Sequence, residues 1–246
     1  MFILYTQNCR NKMNSFYISD ISGTSIQLNA DESKHCIKVL RLKKGDQVQL
    51  MNGKGSLYKA VIQYPDSKKC LLEIVEEEKF QNIRNFHLTI AIAPTKNNER
   101  FEWFLEKSTE IGIDRIVPII CQHSERKDIK PERLEKILIS AMKQSGQTFL
   151  PELASMTSFK ELVNSTFDGI KLIAHCESGV KRSLKNSVVP GKNILILIGP
   201  EGDFDPSEIK LALEKGFIPV SLGNSRLRTE TAGIVACHTV CLINEK

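Results

Sequence analysis

The stretch Asn193-Ile-Leu-Ile-Leu-Ile-Gly-Pro-Glu-Gly-Asp203 decides the architecture. Its apolar run has no polar alternate, so this strand is covered on both faces. The run stops at Gly199, and two glycines then flank a Pro-Glu pair. Glycine permits positive φ and close approach by a ligand, and the proline fixes one bend. A buried strand that ends in a rigid glycine turn belongs to an open parallel sheet, whose ligands sit beyond the carboxyl ends of the strands. Next comes Asp205-Pro-Ser-Glu208: an N-cap, a proline at the first helical position and an acid that closes a capping box.

Outward from this stretch the same grammar repeats. Leu88–Ala93, Arg115–Ile120, Lys171–His175 and Ile218–Leu222 read as strands. Helices are expected from Asn98 to Ile111 with a stop at Gly112, from Pro131 to Gly146, and from about Thr229 onward. Pro118 hints at an edge or an irregularity in its strand. Strands alternating with helices mean an α/β domain with a mostly parallel sheet.

Residues 1–75 differ. Short alternating runs at Phe16–Ile18, Ser25–Leu28, Gln47–Met51, Leu57–Ile62 and Cys70–Val75, with a glycine-rich turn at Asn52–Gly55, suggest a small barrel. Asp31–Leu40 reads as one short helix with Cys36, Val39 and Leu40 on one side. The charged stretch 76–86 lacks clean periodicity and reads as a linker, leaving 87–246 as the second domain.

Composition bounds the function. Of 246 residues, 41% are apolar, enough for a real core, yet no run approaches a membrane span. Met1–Thr6 is too short and too soon polar for a signal peptide, so the expected compartment is the cytoplasm. The seven cysteines are odd in number and include no CxxC, and the five histidines are scattered, so neither disulfides nor a metal site is expected. Cys237 and Cys241 share a helix face and read as small core residues. The net charge of +5 is a weak hint of an acidic partner. Lys34, Lys38, Arg41, Lys43 and Lys44 cluster in the first domain, with Lys54, Lys59, Arg10 and Lys12 as further candidates, and Arg126, Lys127 and Lys130 make a second basic loop. Such groups position a phosphate backbone without reading its sequence.

Three strand ends carry unusual polar sequence: Ala174–Gly179, Gly199–Phe204 and Gly223–Glu230. None is a Walker loop or a GxGxxG fingerprint, so ATP and NAD lose their main support. In Ser221-Leu-Gly-Asn-Ser-Arg-Leu-Arg-Thr-Glu-Thr-Ala232, Arg226 and Arg228 alternate around Leu227. Both guanidinium groups can then face one cleft, with Thr229 as N-cap of the last helix. The alternative is a salt-bridged cap in which Glu230 neutralises Arg228.

These turns together resemble the SPOUT class of methyltransferases, and within it the ribosomal RNA small subunit methyltransferase E family. The resemblance extends to His35–Asp46 and Gly53–Gly55, which look like that family's PUA-like barrel. It also takes in Lys96, Glu102-Trp103, Lys107, Glu110 and Gly112 on the first helix of the catalytic domain, and Ala141–Gly146. Asp203 stands where many members have a third glycine. The resemblance implies a trefoil-knotted sheet domain after the barrel, an obligate homodimer with shared active sites, and methylation of N3 of a uridine in 16S ribosomal RNA of the small subunit.

It also implies S-adenosylmethionine as cofactor, bound among the three turns by Ala174, His175, Ile198, Gly199, Pro200, Glu201, Gly202, Leu222, Gly223, Asn224, Leu227, Arg228 and Thr229. No metal is needed, because the methyl group is already activated. Charge that develops on the uracil oxygens calls for a guanidinium, Arg228 first and Arg226 second. Glu201, Glu230 or water is the candidate base. RNA contacts fall to Arg10, Lys34, Lys38, Arg41, Lys43, Lys44 and Arg126. Two rivals stay open: a related enzyme acting on another RNA nucleoside, and a non-catalytic RNA-binding protein.

Overall fold

The computed structural model describes residues 13–81 and 84–245, and the chain divides into two units, residues 1–82 and 83–246. Arg10, Lys12 and Cys9 lie outside the described residues.

The first unit holds β1 (Ser15–Tyr17), β2 (Ser25–Gln27), α1 (Ala30–Lys34), β3 (Gln47–Met51), β4 (Ser56–Tyr64) and β5 (Leu71–Lys79). They form one five-stranded sheet in the order β1-β3-β4-β5-β2. The period of two in side-chain direction sends Val48, Leu50, Ala60, Ile62 and Leu72 into a core with Phe16 and Leu28. Asn52 shapes the expected hairpin turn: its Oδ1 accepts from the amides of Lys54 and Ser56 at 2.8 and 3.0 Å.

Two expectations fail in this region. The helix read over Asp31–Leu40 is α1 followed by a π-helical turn, His35–Val39, in which the Leu40 amide bonds the His35 carbonyl at 3.0 Å. The wider turn shifts the phase of the side chains. Cys36 stays in the core, while Val39 swings out to 63% exposure. The linker read over 76–86 begins inside a strand, since β5 runs to Lys79. Glu76, Glu77 and Glu78 continue β5 and pair with Lys59, Tyr58 and Leu57 of β4. The acidic run looked aperiodic because this end of β5 is exposed on both faces. Further on, Phe86 already belongs to the core of the second unit, and the Arg84 guanidinium lies 4.2 Å over its ring.

The second unit runs β6 (Leu88–Ile92), α2 (Asn98–Ile111), β7 (Arg115–Ile120), α3 (Pro131–Ser145), β8 (Glu152–Leu153), β9 (Thr157–Ser158), α4 (Phe159–Asn164), β10 (Ile170–Ala174), β11 (Arg182–Ser183), β12 (Ile194–Ile198), α5 (Pro206–Glu214), β13 (Ile218–Ser221) and α6 (Thr229–Asn244). All its strand pairs are parallel, in the order β11-β13-β10-β12-β6-β7-β8, with β9 also on β7.

Every residue of β6 and β12 is buried. Ile90, Ile92, Ile196 and Ile198 face one core with Phe101, Phe104 and Leu105 of α2 and Cys237 of α6. Ala91, Leu195 and Leu197 face the other with Phe159 of α4 and Ile209 of α5. Each fully buried Ile or Leu contributes roughly 1.5–3 kcal/mol, which is why this stretch has no polar alternate. Pro118 does mark an irregularity. β8 pairs with Arg115 and Ile116, β9 pairs with Ile119 and Ile120, and the proline's missing donor falls in the gap between them.

Helix punctuation follows the sequence closely. Gly112 and Gly146 end α2 and α3 at φ 103 and 70°. Asp205 and Glu208 form a capping box on α5, and the hydroxyl and amide of Ser207 hold the Asp205 carboxyl below its usual range.

Candidate active site

The site follows from which strands are neighbours. β13, β10 and β12 lie side by side although they are not consecutive in sequence. Ala174 of β10 sits opposite both Ile198 of β12 and Val220 of β13. The three strands therefore end level, and the three polar turns leave the same rim.

Two side chains lock these turns together. Asp203 has φ 64°, the left-handed conformation that Asp tolerates. Its Oδ2 accepts from the Cys176 amide at 2.7 Å and its Oδ1 from its neighbour Phe204 at 2.9 Å, joining the turn after β12 to the turn after β10. Thr229 joins the turn after β12 to the turn after β13: its hydroxyl donates to the Gly199 carbonyl at 3.1 Å. This corrects the expected N-cap. The cap position is Arg228, at φ −73° and ψ 157° with no side-chain cap bond, and Thr229 is the first helical residue. Thr229 already has helical backbone, one residue past the cap, and from there its hydroxyl reaches across to the neighbouring turn.

Space is tight at the two glycines of this turn. A Cβ on Gly199 would lie 3.1 Å from the Phe204 ring, and one on Gly202 3.2 Å from His123.

The locked turns border three open cavities that have lining residues in common. The largest, about 750 Å³, is bordered by Ala174, His175, Gly202, Leu222, Gly223, Asn224, Ser225, Arg226 and Leu227. A second, about 270 Å³, is bordered by Ile198, Gly199, Pro200, Glu201, Arg226, Leu227, Arg228 and Thr229. A third, about 620 Å³, lies on the other side of Arg226–Arg228, against Arg100, Trp103 and Glu230. Arg226 and Leu227 thus border all three, and Arg228 borders the second and third. The salt-bridged cap is not formed. Among the described residues neither Arg226 nor Arg228 has an ion pair, and Glu230 Oε1 lies 3.9 Å from Arg100 Nε instead.

Other candidates are committed elsewhere. Glu201 Oε1 accepts from the Lys96 amide at 2.9 Å, so it braces the turn after β6. Arg126 donates to the carbonyls of Thr95 and Lys96 at 3.1 and 2.8 Å; its guanidinium builds that same turn. In the first unit Lys34, Lys38, Arg41, Lys43 and Lys44 are exposed. Lys54 instead pairs with Asp20 at 2.8 Å, and Lys59 with Glu76. Sequence reasoning missed Arg100 and the bridging role of Asp203, and it named Trp103 only as part of the family resemblance, with no role. The signals were a tryptophan two residues from the buried face of α2, and an aspartate where the turn demands positive φ.

His175 borders the largest cavity, and its Nδ1 is buried without a hydrogen-bond partner. Burial pushes its imidazole below the ordinary 6.5, the Lys181 charge adds to this, and Asp203 and Glu177 oppose it. Because the folded value is depressed, the unfolded chain binds more protons as pH falls through about 6.5. Stability therefore drops below that pH. His175→Asn flattens this part of the curve, as read from denaturation midpoints between about pH 5 and 8.

A description of the RNA methyltransferase domain matches residues 82–241, and that of the RNA methyltransferase PUA domain matches residues 28–75. A ribosomal RNA small subunit methyltransferase E from Buchnera aphidicola is 32% identical over 92% of this chain and 91% of its own length. The chain belongs to the ribosomal RNA small subunit methyltransferase E family. Among solved structures, a probable rRNA-methyltransferase from Porphyromonas gingivalis is 44% identical, covers 94% of this chain and 99% of that one, and has a TM-score of 0.86. A family member from Neisseria gonorrhoeae, bound to S-adenosyl methionine, is 27% identical, covers 92% of this chain and 95% of that one, and has a TM-score of 0.81.

The residues of this chain fit that cofactor. The cavity is of ligand size, the buried His175 Nδ1 lacks a partner, and the amides of Asn224–Arg228 make no backbone hydrogen bond among the described residues. Thr229→Val tests the lock. It leaves the buried Gly199 carbonyl short of a donor, at a cost of about 1–3 kcal/mol. S-adenosylmethionine affinity, measured by calorimetry, is expected to fall about tenfold.

Proposed function

We propose that this chain methylates N3 of one uridine in 16S ribosomal RNA of the small subunit, working in the cytoplasm as a homodimer with its catalytic sheet threaded as a trefoil knot. The observation that carries the activity is the pair of locks, Asp203 and Thr229, which hold three turns around one cavity system whose shared wall is Arg226–Arg228. The dimer, the knot and the choice of uridine N3 rest on the family resemblance. No described helix is long and apolar enough to cross a membrane.

S-adenosylmethionine, when bound, supplies an activated methyl group. Ala174, His175, Gly202, Leu222, Gly223, Asn224 and Leu227 hold it in the largest cavity, with Ile198, Gly199, Pro200, Glu201, Arg228 and Thr229 bordering the adjoining one. Holding the target base in line beside this group removes much of the entropic barrier. As N3 loses its proton, negative charge spreads onto the two uracil oxygens. The Arg228 guanidinium, free of ion pairs, stabilises that charge, with Arg226 beside it. Lys34, Lys38, Arg41, Lys43 and Lys44 meet RNA phosphates from the first unit. Arg126 joins them from the second unit: two of its five donors hold the Thr95 and Lys96 carbonyls, and the others remain for a phosphate.

The deciding experiment uses small subunits from a strain lacking this gene. Methylation in vitro followed by nucleoside mass spectrometry is expected to give 3-methyluridine. Primer extension is expected to stop at a single position, because the methyl group blocks pairing. A methyl group on another nucleoside, or none, overturns the proposal.

A further inference from the structure

The third cavity lies across Arg226–Arg228 from the largest one, and it carries a buried carboxylate. Glu230 is only 6% exposed. Its Oε2 has no hydrogen-bond partner, and its nearest cation, Arg100, lies 3.9 Å from the other oxygen. A carboxylate oxygen buried without a donor is costly in a folded chain. It points to a donor supplied from outside. The same cavity is walled by Trp103, the chain's sole tryptophan, which is 43% exposed. A large ring left in the open on α2, beside Arg228, is a flat platform of the kind on which unpaired bases stack.

We propose that the third cavity is the nucleobase pocket: Trp103 stacks on the flipped uracil ring, and Glu230 Oε2 accepts the N3 proton. This deepens the proposed function and rests on it. The pocket matches uracil edge by edge. N3–H is a donor and meets the unpartnered carboxylate oxygen. The two flanking carbonyl oxygens are acceptors and meet guanidinium groups, of which Arg228 borders both this cavity and the donor side. Cytosine presents a lone pair at N3, which repels the carboxylate, so the same group rejects it. In the transfer the N3–H bond breaks and its proton passes to Glu230. The electron pair left on N3 forms the new bond to the methyl carbon. The pair of the methyl–sulfur bond stays on sulfur, and sulfonium becomes neutral thioether. Glu230 then returns the proton to water.

The test uses the full chain in single-turnover methylation of small subunits that lack the modification, with S-adenosylmethionine titrated separately by calorimetry. Glu230→Gln keeps the shape and removes the acceptor. It is expected to slow transfer at least about 100-fold and to abolish the rise of rate with pH on the acidic limb, while cofactor affinity stays within about threefold. Trp103→Ala is expected to raise the half-saturating enzyme concentration about tenfold with little change in the saturated rate, and Trp103→Phe to restore most of the loss. Glu230→Gln that keeps both the rate and the pH dependence overturns the proton assignment. Trp103→Ala with unchanged half-saturation overturns the stacking assignment. A wild-type chain that methylates no uridine at N3 fails the parent reading instead, so the two failures are distinguishable.

Discussion

Arg228→Ala is expected to lower the single-turnover methylation rate by about 10²–10³, the loss typical when one preorganised donor to developing charge is removed. The site makes this variant unusually clean. Arg228 caps α6 through its backbone, and its side chain makes no cap bond. It has no ion pair among the described residues to leave half-broken, so truncation removes a charge without unfolding the turn. Melting temperature should stay near wild type while the rate at saturating cofactor falls. Arg228→Lys should recover only part of it, because an ammonium is a point charge and cannot fork to an oxygen. A rate within about threefold of wild type in Arg228→Ala would move the electrostatic role to Arg226, which borders the same cavities.

Gly233→Val is expected to destabilise the catalytic unit by about 3 kcal/mol, the upper part of the range for overpacking a core. A Cβ at this position would lie 2.6 and 2.7 Å from carbons of the Phe104 ring and 3.1 Å from Ile92 Cδ1. Phe104 and Ile92 are wholly buried, so neither has room to move aside. Replacing a helical glycine gains at most about 1 kcal/mol in propensity, which does not offset the clash. For a domain of this size the loss corresponds to a fall in melting temperature of roughly 6–12 °C. The effect reaches function as well. Gly233 lies one turn beyond Thr229 and Glu230, so a displaced α6 pulls both from their partners, and cofactor affinity should fall with stability. Unchanged melting in Gly233→Val would mean that α6 does not pack flush on α2 and β6.

Much of the catalytic unit was legible in the sequence because its signals are local. The uniformly apolar β12, the Gly-Pro-Glu-Gly turn, the Asp205–Glu208 capping box and the terminal glycines of α2 and α3 each depend on neighbouring residues only. What was not legible depends on who lies beside whom. No periodicity says that β10 sits between β13 and β12, although that order makes the turns converge. Thr229 read as an N-cap because threonine before a helix usually is one, and the partner that claims its hydroxyl lies thirty residues away. Arg126 read as a phosphate contact from its charge, and its bracing of the Thr95 and Lys96 carbonyls, some thirty residues away, has no local signal. The acidic end of β5 lacked alternation because both of its faces meet water, and the π-helical turn after α1 is set by one register slip that composition does not show.

At the centre of this account is a single physical claim: turns from three adjacent parallel strands, tied by Asp203 and Thr229, make one pocket for a sulfonium methyl donor. Calorimetric titration of the purified chain with S-adenosylmethionine tests it most directly. The account predicts saturable binding of one molecule per chain, weakened by Thr229→Val and left within about threefold of wild type by Trp103→Ala. Absence of binding, or binding indifferent to Thr229→Val, would contradict it.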